Sequence, residues 1–135
     1  MADLTGITAV RPTQLTQLRV VPYGATIAAG QPIVRSGTKY VLADANASAA
    51  LAAAEGIAMT PGVDNGFGVM AFGGNIILVG TTMTVADTYL VSPTAGGIMP
   101  NADRATGAYV TRLGVAASAT QLNLSIEATA IQVPA

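Results

Sequence analysis

Two short motifs in the sequence have the spacing of sites that carry chemistry. Residues 66–71, GFGVMA, match the G-x-G-x-x-A loop of dinucleotide-binding domains, and Asp87 follows about 20 residues later, where a ribose-binding carboxylate would lie. Residues 36–39, SGTK, have the S-x-x-K spacing of an acylated serine nucleophile. Both motifs need a helix behind them, whereas the first runs into FGGN and the second separates two apolar runs. We interpret both as turns between strands.

The rest of the residue inventory offers little for catalysis or metal binding. The chain contains neither His nor Cys, which excludes Ser-His triads, thiol nucleophiles, disulfides and imidazole or thiolate metal sites. Asp44, Asp64 and Asp103 carry oxygen ligands, but their spacing fits no calcium-binding loop and favours turn capping. We therefore expect a protein that is not an enzyme and that has no cofactor and no metal.

Charge and hydropathy point towards protein partners. Six basic and seven acidic residues nearly cancel, so no basic field exists to hold nucleic acid or an anionic membrane. Residues 65–86 are uncharged and long enough to span a bilayer, but their glycines, asparagines and threonines favour a pair of strands. Asp3 stands where a signal peptide would have Lys or Arg, which predicts synthesis and use without secretion. A hydrophobic content of 51% predicts a buried partner interface.

Short apolar runs separated by turn residues dominate the chain from Tyr23 onward. Asp64-Asn65-Gly66 and Gly73-Gly74-Asn75 tolerate positive φ and predict turns, and Ser36-Gly37 predicts a hairpin. This pattern is typical of an all-β fold, a small β-barrel or β-sandwich. The predicted strands are QLRVV, QPIVRS, KYVLA, EGIAMT, FGVMAF, NIILVG, TYLVS, AYVTRLGVA and QLNLSIEATAIQV.

Two segments depart from the strand pattern. Residues 45–55, ANASAALAAAE, are rich in alanine and predict one short helix, which needs the sheet for support because an isolated helix of that length is marginal. Residues 1–22 contain only one strand-like run and predict an extended N-terminal arm. We therefore expect an arm, residues 1–22, followed by a β-domain, residues 23–135.

The sequence also contains an internal repeat. GATIAAGQPIVRSG from Gly24 and GTTMTVADTYLVSP from Gly80 follow one template, and GIA at residues 56–58 corresponds to GVA at residues 114–116. A period that occurs only twice predicts two related β-units that complete one barrel or sandwich. We expect Ile57 and Val115 to be equivalent inward positions, each beside a glycine that marks a bend or a close backbone approach.

Three phrases resemble a family of small tailed-bacteriophage proteins, the capsid decoration or head cement proteins. They are GIAMT at residues 56–60, LGVA at 113–116 and YLVSPTAGGIMPNADRATG at 89–107, and the resemblance covers roughly residues 20–130. It implies a small β-barrel or β-sandwich, made in the host cytoplasm, that binds in many copies to the exterior of the major capsid protein lattice and stabilises the head. The family has no catalytic motif to transfer, and the phrase RPTQLTQLRVVPY departs from its pattern.

The N-terminal arm is the candidate interface with the capsid or with other subunits. An extended arm can add a strand to an exposed sheet edge of its partner. We expect self-association as well, as a homotrimer in preference to a homodimer. The alternative is a carbohydrate- or host-surface-binding β-module of a virion appendage, although the chain has no Trp for a sugar platform. The candidate contacts are Thr5, Ile7, Ala9, Arg11 and alternate residues of QLRVV, namely Gln17, Arg19 and Val21.

Overall fold

The computed structural model describes residues 3–104 and 106–133 and is all-β, which confirms the predicted fold class. The predicted runs correspond to strands, whereas β1 and β8 were not predicted, because each is short and ends in proline. In chain order the elements are β1 (Ala9–Pro12), β2 (Gln17–Pro22), β3 (Pro32–Ser36), β4 (Lys39–Leu42), α1 (Ala49–Ala52), β5 (Gly56–Ala58), β6 (Phe67–Val79), β7 (Thr88–Val91), β8 (Ile98–Pro100), a 3-10 turn (Asn101–Asp103), β9 (Tyr109–Ala116) and β10 (Gln121–Gln132).

The long strand β6 belongs to both halves of the sheet. Its first half lies between β2 and β5, and its second half lies between β1 and β10. The strand bends at Gly73–Gly74, where Gly74 has φ +75°, a left-handed conformation that only glycine adopts without strain. A Cβ on Gly74 would also overlap the carbonyl of Leu15. One continuous strand thus turns a corner from one half of the sheet to the other.

This geometry corrects two predictions. The triplet Gly73-Gly74-Asn75 is not a turn between strands, and residues 65–86 do not form a pair of strands, because β6 runs unbroken from Phe67 to Val79. A bend within a strand and a turn between strands both require positive φ, so they use the same residues. The other two turns are confirmed: Ser36-Gly37 closes the β3–β4 hairpin, and Asn65, with φ 69°, lies in the turn before β6.

The strand order confirms two related β-units. Across the sheet the order is β4-β3-β5-β6-β10-β9-β7-β8. From its outer edge inward, the first unit, β3–β6, has the order β4-β3-β5-β6, and the second unit, β7–β10, has the order β8-β7-β9-β10. The two units therefore arrange their strands in the same way. The register agrees, since Ile57 pairs with Pro32 as Val115 pairs with Thr88. Even the helical turns correspond, because α1 separates β4 from β5 as the 3-10 turn separates β8 from β9.

The equivalence extends to the backbone but not to burial. Ile57 is completely buried, whereas Val115 is 43% exposed. The prediction that both side chains point into a core is therefore wrong for Val115. The physical reason is that the larger core of the protein includes Ile57, while the corresponding face of β9 is left open to solvent. The glycine before each residue does mark a close backbone approach: a Cβ on Gly56 would meet Ala71, and one on Gly114 would overlap the carbonyl of Asn123.

The first unit curls with β2 into a small barrel. A parallel bridge between Tyr23 and Tyr40 joins β2 to β4, and the Gly24 amide donates to the carbonyl oxygen of Tyr40 at 2.7 Å. The bridge closes the barrel at one point and leaves the rest of the outer edge of β2 unpaired within the described residues. The residues buried inside this barrel are Val21, Tyr23, Ile27, Ile33, Tyr40, Ala58 and Met70.

Residues 3–22 lie along the β-domain, and two parts of this segment, β1 and β2, are strands of the sheet. The Leu4 amide donates to the Ile98 carbonyl of β8 at 2.7 Å, and the Thr8 amide donates to the Val79 carbonyl of β6 at 2.9 Å. The Ser92 hydroxyl donates to the carboxylate of Asp3. Residues 3–8 therefore pass from the edge of the second unit to the edge of β6, where β1 and β2 continue along almost the whole length of β6.

The alanine-rich segment forms the predicted short helix, reduced to one turn. Helix α1 covers Ala49–Ala52, and the Ser48 hydroxyl caps its N-terminus by accepting from the Leu51 amide at 3.1 Å. A helix of one turn is not stable by itself, so packing against the rest of the protein sets its length. Ala52 is buried in the larger core, which supplies the support that the sequence required.

Candidate binding surface

The seven predicted contact residues divide by exposure. Four of them are exposed, and two are half-buried, with Ile7 packed against the larger core. Val21 is only 2% exposed and lies inside the small barrel, so a partner cannot reach it in this fold. The exposed four are Thr5, Arg11, Gln17 and Arg19, and the half-buried two are Ile7 and Ala9.

Alternation along β2 places a different set of side chains on its outer face. Leu18 and Val20 alternate with Arg19 and Val21, and they are 48% and 68% exposed. The predicted contacts Gln17, Arg19 and Val21 have the opposite parity along the strand. The exposed apolar pair was not predicted. The exposure of two apolar residues two positions apart depends on whether another layer covers that face of the strand.

Phe67 on the neighbouring strand extends this apolar surface. It begins β6, pairs with Pro22, and is 71% exposed. Val20 pairs with Val69, which is half-buried. Directly paired side chains in an antiparallel ladder lie about 4.5–5.5 Å apart, so Leu18, Val20 and Phe67 lie on one face of two adjacent strands. We call these three residues the apolar strip.

The strip lies beside an unpaired strand edge. Within residues 3–104 and 106–133, β1 and β2 pair with β6 along one edge, and their other edge is joined to a strand only through the Tyr23–Tyr40 bridge. Unpaired amides and carbonyls on such an edge can pair with a strand of another chain. The strip and the edge together provide apolar and hydrogen-bonding contacts in one place.

A threonine-anchored turn fixes the position of β2. The Thr16 hydroxyl donates to the carbonyl oxygen of Asn75 at the corner of β6, and the Thr13 amide donates to the Thr16 hydroxyl at 2.7 Å. Leu15 lies at the tip of this turn and is 68% exposed. The corner of β6 and the turn between β1 and β2 thus hold each other, which sets the orientation of the apolar strip.

A polar cluster joins β4 to the residue that precedes β5. The Tyr40 hydroxyl donates to Glu55 Oε1 at 2.9 Å. Burial, together with the Glu55 carboxylate, raises the pKa of Tyr40, and the charges of Arg19 and Arg35 oppose that rise. Burial also raises the pKa of Tyr23, whose hydroxyl donates to the Thr60 carbonyl at 2.7 Å. These hydroxyls satisfy polar groups inside the fold and serve structure.

Neither motif with catalytic spacing leads into a helix. The S-x-x-K motif is the hairpin turn predicted from the sequence, whereas the G-x-G-x-x-A motif is not a turn between strands, because residues 67–71 belong to β6. Ser36 and Lys39 are paired residues of the β3–β4 hairpin, and the Lys39 ammonium lies 3.5 Å from the Asp64 carboxylate, with both groups exposed. Residues 66–71 lead into β6 and not into a helix. Gly68 is required there because a Cβ would overlap the buried ring of Tyr23.

The described residues show no metal site and no spanning helix. In residues 3–104 and 106–133, no three Asp or Glu side chains come together in a way that could hold a metal ion. Asp44 caps a turn, as predicted, by accepting from the Asn46 amide at 2.9 Å. Neither helical segment in this part of the chain has the length and apolarity needed to cross a membrane.

Comparison with known proteins provides no identification. The chain matches no protein-family model, and no curated protein matches it significantly.

Proposed function

We propose that the protein is a structural decoration, or cement, protein of a tailed-bacteriophage head. It binds the exterior of the major capsid protein lattice, works as a self-associated unit that we take to be a homotrimer, and stabilises the DNA-filled shell. The observation that carries this proposal is the apolar strip beside the unpaired edge of β2, which is a surface suited to a protein partner.

Exposure supports an interface at the strip. Val20 and Phe67 are 68% and 71% exposed, although neighbouring apolar residues of the same strands are buried. Scattered exposed apolar residues are normal, but contiguous ones usually mark a contact surface. A stable interface buries about 1,200–2,000 Å² in total, so the strip would form the centre of a contact that also includes β1 and the Thr13–Thr16 turn.

The residue inventory supports a structural role. The chain has neither His nor Cys, and the described residues contain no cluster of metal ligands, so the groups that most often converge in a catalytic site are missing from them. Adhesion requires only complementary surfaces, repeated in many copies, because multivalent attachment raises retention without strong individual contacts. The resemblance of residues 89–107, 113–116 and 56–60 to phrases of decoration proteins points in the same direction.

Co-sedimentation with empty expanded heads tests this proposal. The purified protein is mixed with heads that lack it, the heads are pelleted, and the bound copies are counted and imaged by cryo-EM. We expect stoichiometric, symmetric density on the shell exterior. Val20→Asp should reduce binding at least about tenfold, because it places a charge in the buried centre of the contact.

Val85→Asp is the matched control. Val85 is 59% exposed, on the loop before β7 and outside the strip, so the substitution makes the same chemical change elsewhere. It should leave binding unchanged. Deleting residues 1–16 is a blunter test, because Val10 of β1 is buried in the larger core. Analytical ultracentrifugation measures self-association, and a monomer would contradict the trimer.

A wild-type protein that stays in the supernatant would contradict the decoration role. The alternative, a carbohydrate- or host-surface-binding module of an appendage, would then be tested on a glycan array. Equal loss of binding in Val20→Asp and Val85→Asp would contradict the location of the contact while leaving the role intact.

A further inference from the structure

The open face of the second unit contains a polar cleft that the apolar strip does not include. The cleft has a volume of about 370 Å³ and lies over the part of β9 where Val115 is exposed. Four parts of the chain contribute to it: β7, the 3-10 turn with the residue that follows it, β9 and β10. Its principal side chains are Thr88, Asn101, Arg104, Arg112, Ser125 and Glu127.

Two of the six basic residues of the chain converge in this cleft. Arg112 is paired across the β9–β10 ladder with Glu127, and its Nη1 lies 3.1 Å from Glu127 Oε1. This pair is more than half exposed, so water screens it and it contributes little to stability. The side chain of Arg104 makes no hydrogen bond or ion pair to another described residue. The cleft therefore holds two guanidinium groups and one carboxylate.

The chemistry of the cleft suits a carboxylate. A guanidinium group offers a planar pair of donors that matches the two oxygens of a carboxylate. The Arg112–Glu127 contact shows that a carboxylate already fits against one of these arginines, and no described residue occupies the side-chain donors of Arg104. Asn101, Thr88 and Ser125 add neutral donors and acceptors around the same space.

The cleft favours an acidic protein segment over an acidic sugar. No aromatic side chain lines it, whereas sugar sites generally use an aromatic face for stacking. The exposed Val115 side chain offers an apolar contact for the stem of an Asp or Glu residue. The same face of β5 in the first unit is buried, so this cleft exists in only one of the two units.

We propose that the Arg104–Arg112 cleft binds an acidic side chain, Asp or Glu, of the partner protein. This inference rests on the proposed function, because the partner is the capsid lattice to which the protein attaches. The cleft then orients the protein on its partner, because the apolar strip provides adhesion at one surface and the two arginines select a carboxylate at another.

A peptide titration tests the cleft without capsids. An acetylated, amidated peptide that contains Asp and Glu between glycines is added to the purified protein, and amide NMR spectra are recorded. We expect shifts at Asn101, Arg104, Arg112 and Val115, and the shifts should weaken as salt is added. Arg104→Gln should raise the dissociation constant about fivefold.

Arg35→Gln is the matched control, since it removes the same charge from an exposed position of β3 in the first unit. It should leave the titration unchanged. No localised shifts, or equal weakening by both variants, would overturn the proposal. Glucuronate as a second probe separates the sources of a carboxylate, and tighter binding of the sugar acid than of the peptide would also overturn it.

Head binding then separates this inference from the proposed function. If wild-type protein and Arg35→Gln pellet with heads while Arg104→Gln pellets less, both proposals are supported. If all three bind equally, the cleft does not contact the capsid and this inference fails, although the decoration role stands. If none binds, the decoration role fails, and with it the identity of the partner, while the peptide titration still decides whether the cleft holds a carboxylate.

Discussion

Ile57 and Val115 occupy equivalent places in the two units, yet one is completely buried and the other is 43% exposed. Their pairing partners correspond, and each follows a glycine that another backbone approaches closely. The two units thus share backbone geometry and differ in what covers it. The first unit curls with β2 into a small barrel, and the second leaves the face of β9 open.

The difference shows how a repeated unit can form two different surfaces. Backbone pairing and close glycine contacts define the strand order and need the same residues in both copies. Burial of a face depends on neighbouring elements, which the two copies do not share. The first unit and β2 carry the apolar strip, whereas the second unit carries the Arg104–Arg112 cleft.

Truncating the equivalent side chains should give the largest contrast. Ile57→Ala removes completely buried atoms and should lower the free energy of unfolding by about 2–5 kcal/mol. Val115→Ala removes partly solvated atoms and should change it by no more than about 0.5 kcal/mol. Denaturant unfolding followed by circular dichroism measures both values. Equal losses would mean that the face of β9 is covered in solution, for example by self-association.

Substituting the equivalent glycines should instead give similar results. Gly56→Ala and Gly114→Ala each force a Cβ against the neighbouring strand, and each should cost about 1–3 kcal/mol. Gly37→Ala is the control, because the new Cβ would meet nothing within 4 Å. The alanine there would be strained only by the positive φ of 66°. A neutral Gly114→Ala beside a costly Gly56→Ala would break the equivalence of the two units.

Alkaline pH should destabilise the small barrel through its two tyrosines. The pKa values of Tyr23 and Tyr40 are raised above 10.0 in the folded state, so the unfolded chain loses these protons first as pH rises. The stability that these two tyrosines contribute is therefore fully present below about pH 10, and it is lost as pH rises through the folded pKa values. Thermal unfolding between neutral pH and pH 11 measures this loss. Replacing both residues with Phe should flatten the alkaline decline, and an unchanged slope would contradict the assignment.

Much of the fold could be predicted from local patterns. Strand-length apolar runs, the Ser36-Gly37 hairpin and the repeat of GIA and GVA were correct, because side-chain alternation and turn chemistry act over a few residues. The corner at Gly73-Gly74 was misread as a turn, since both features require positive φ. The exposure of Leu18 and Val20 was not predicted. The choice between Leu18–Val20 and Arg19–Val21 depends on which face of β2 is covered, and that is a tertiary property.

The sequence by itself determined an all-β chain of two related units with one short helix, because periodicity, glycine placement and composition are properties of the polymer. The tertiary structure alone decided that the two units end in different surroundings. Residues 3–22 lie along β6 and β8 of their own chain, and β2 curls against β4. Within the described residues, Ile57 is completely buried whereas Val115 stays 43% exposed. Burial is set by contacts between segments far apart in the chain, so the similar short sequences GIA and GVA differ in their exposure.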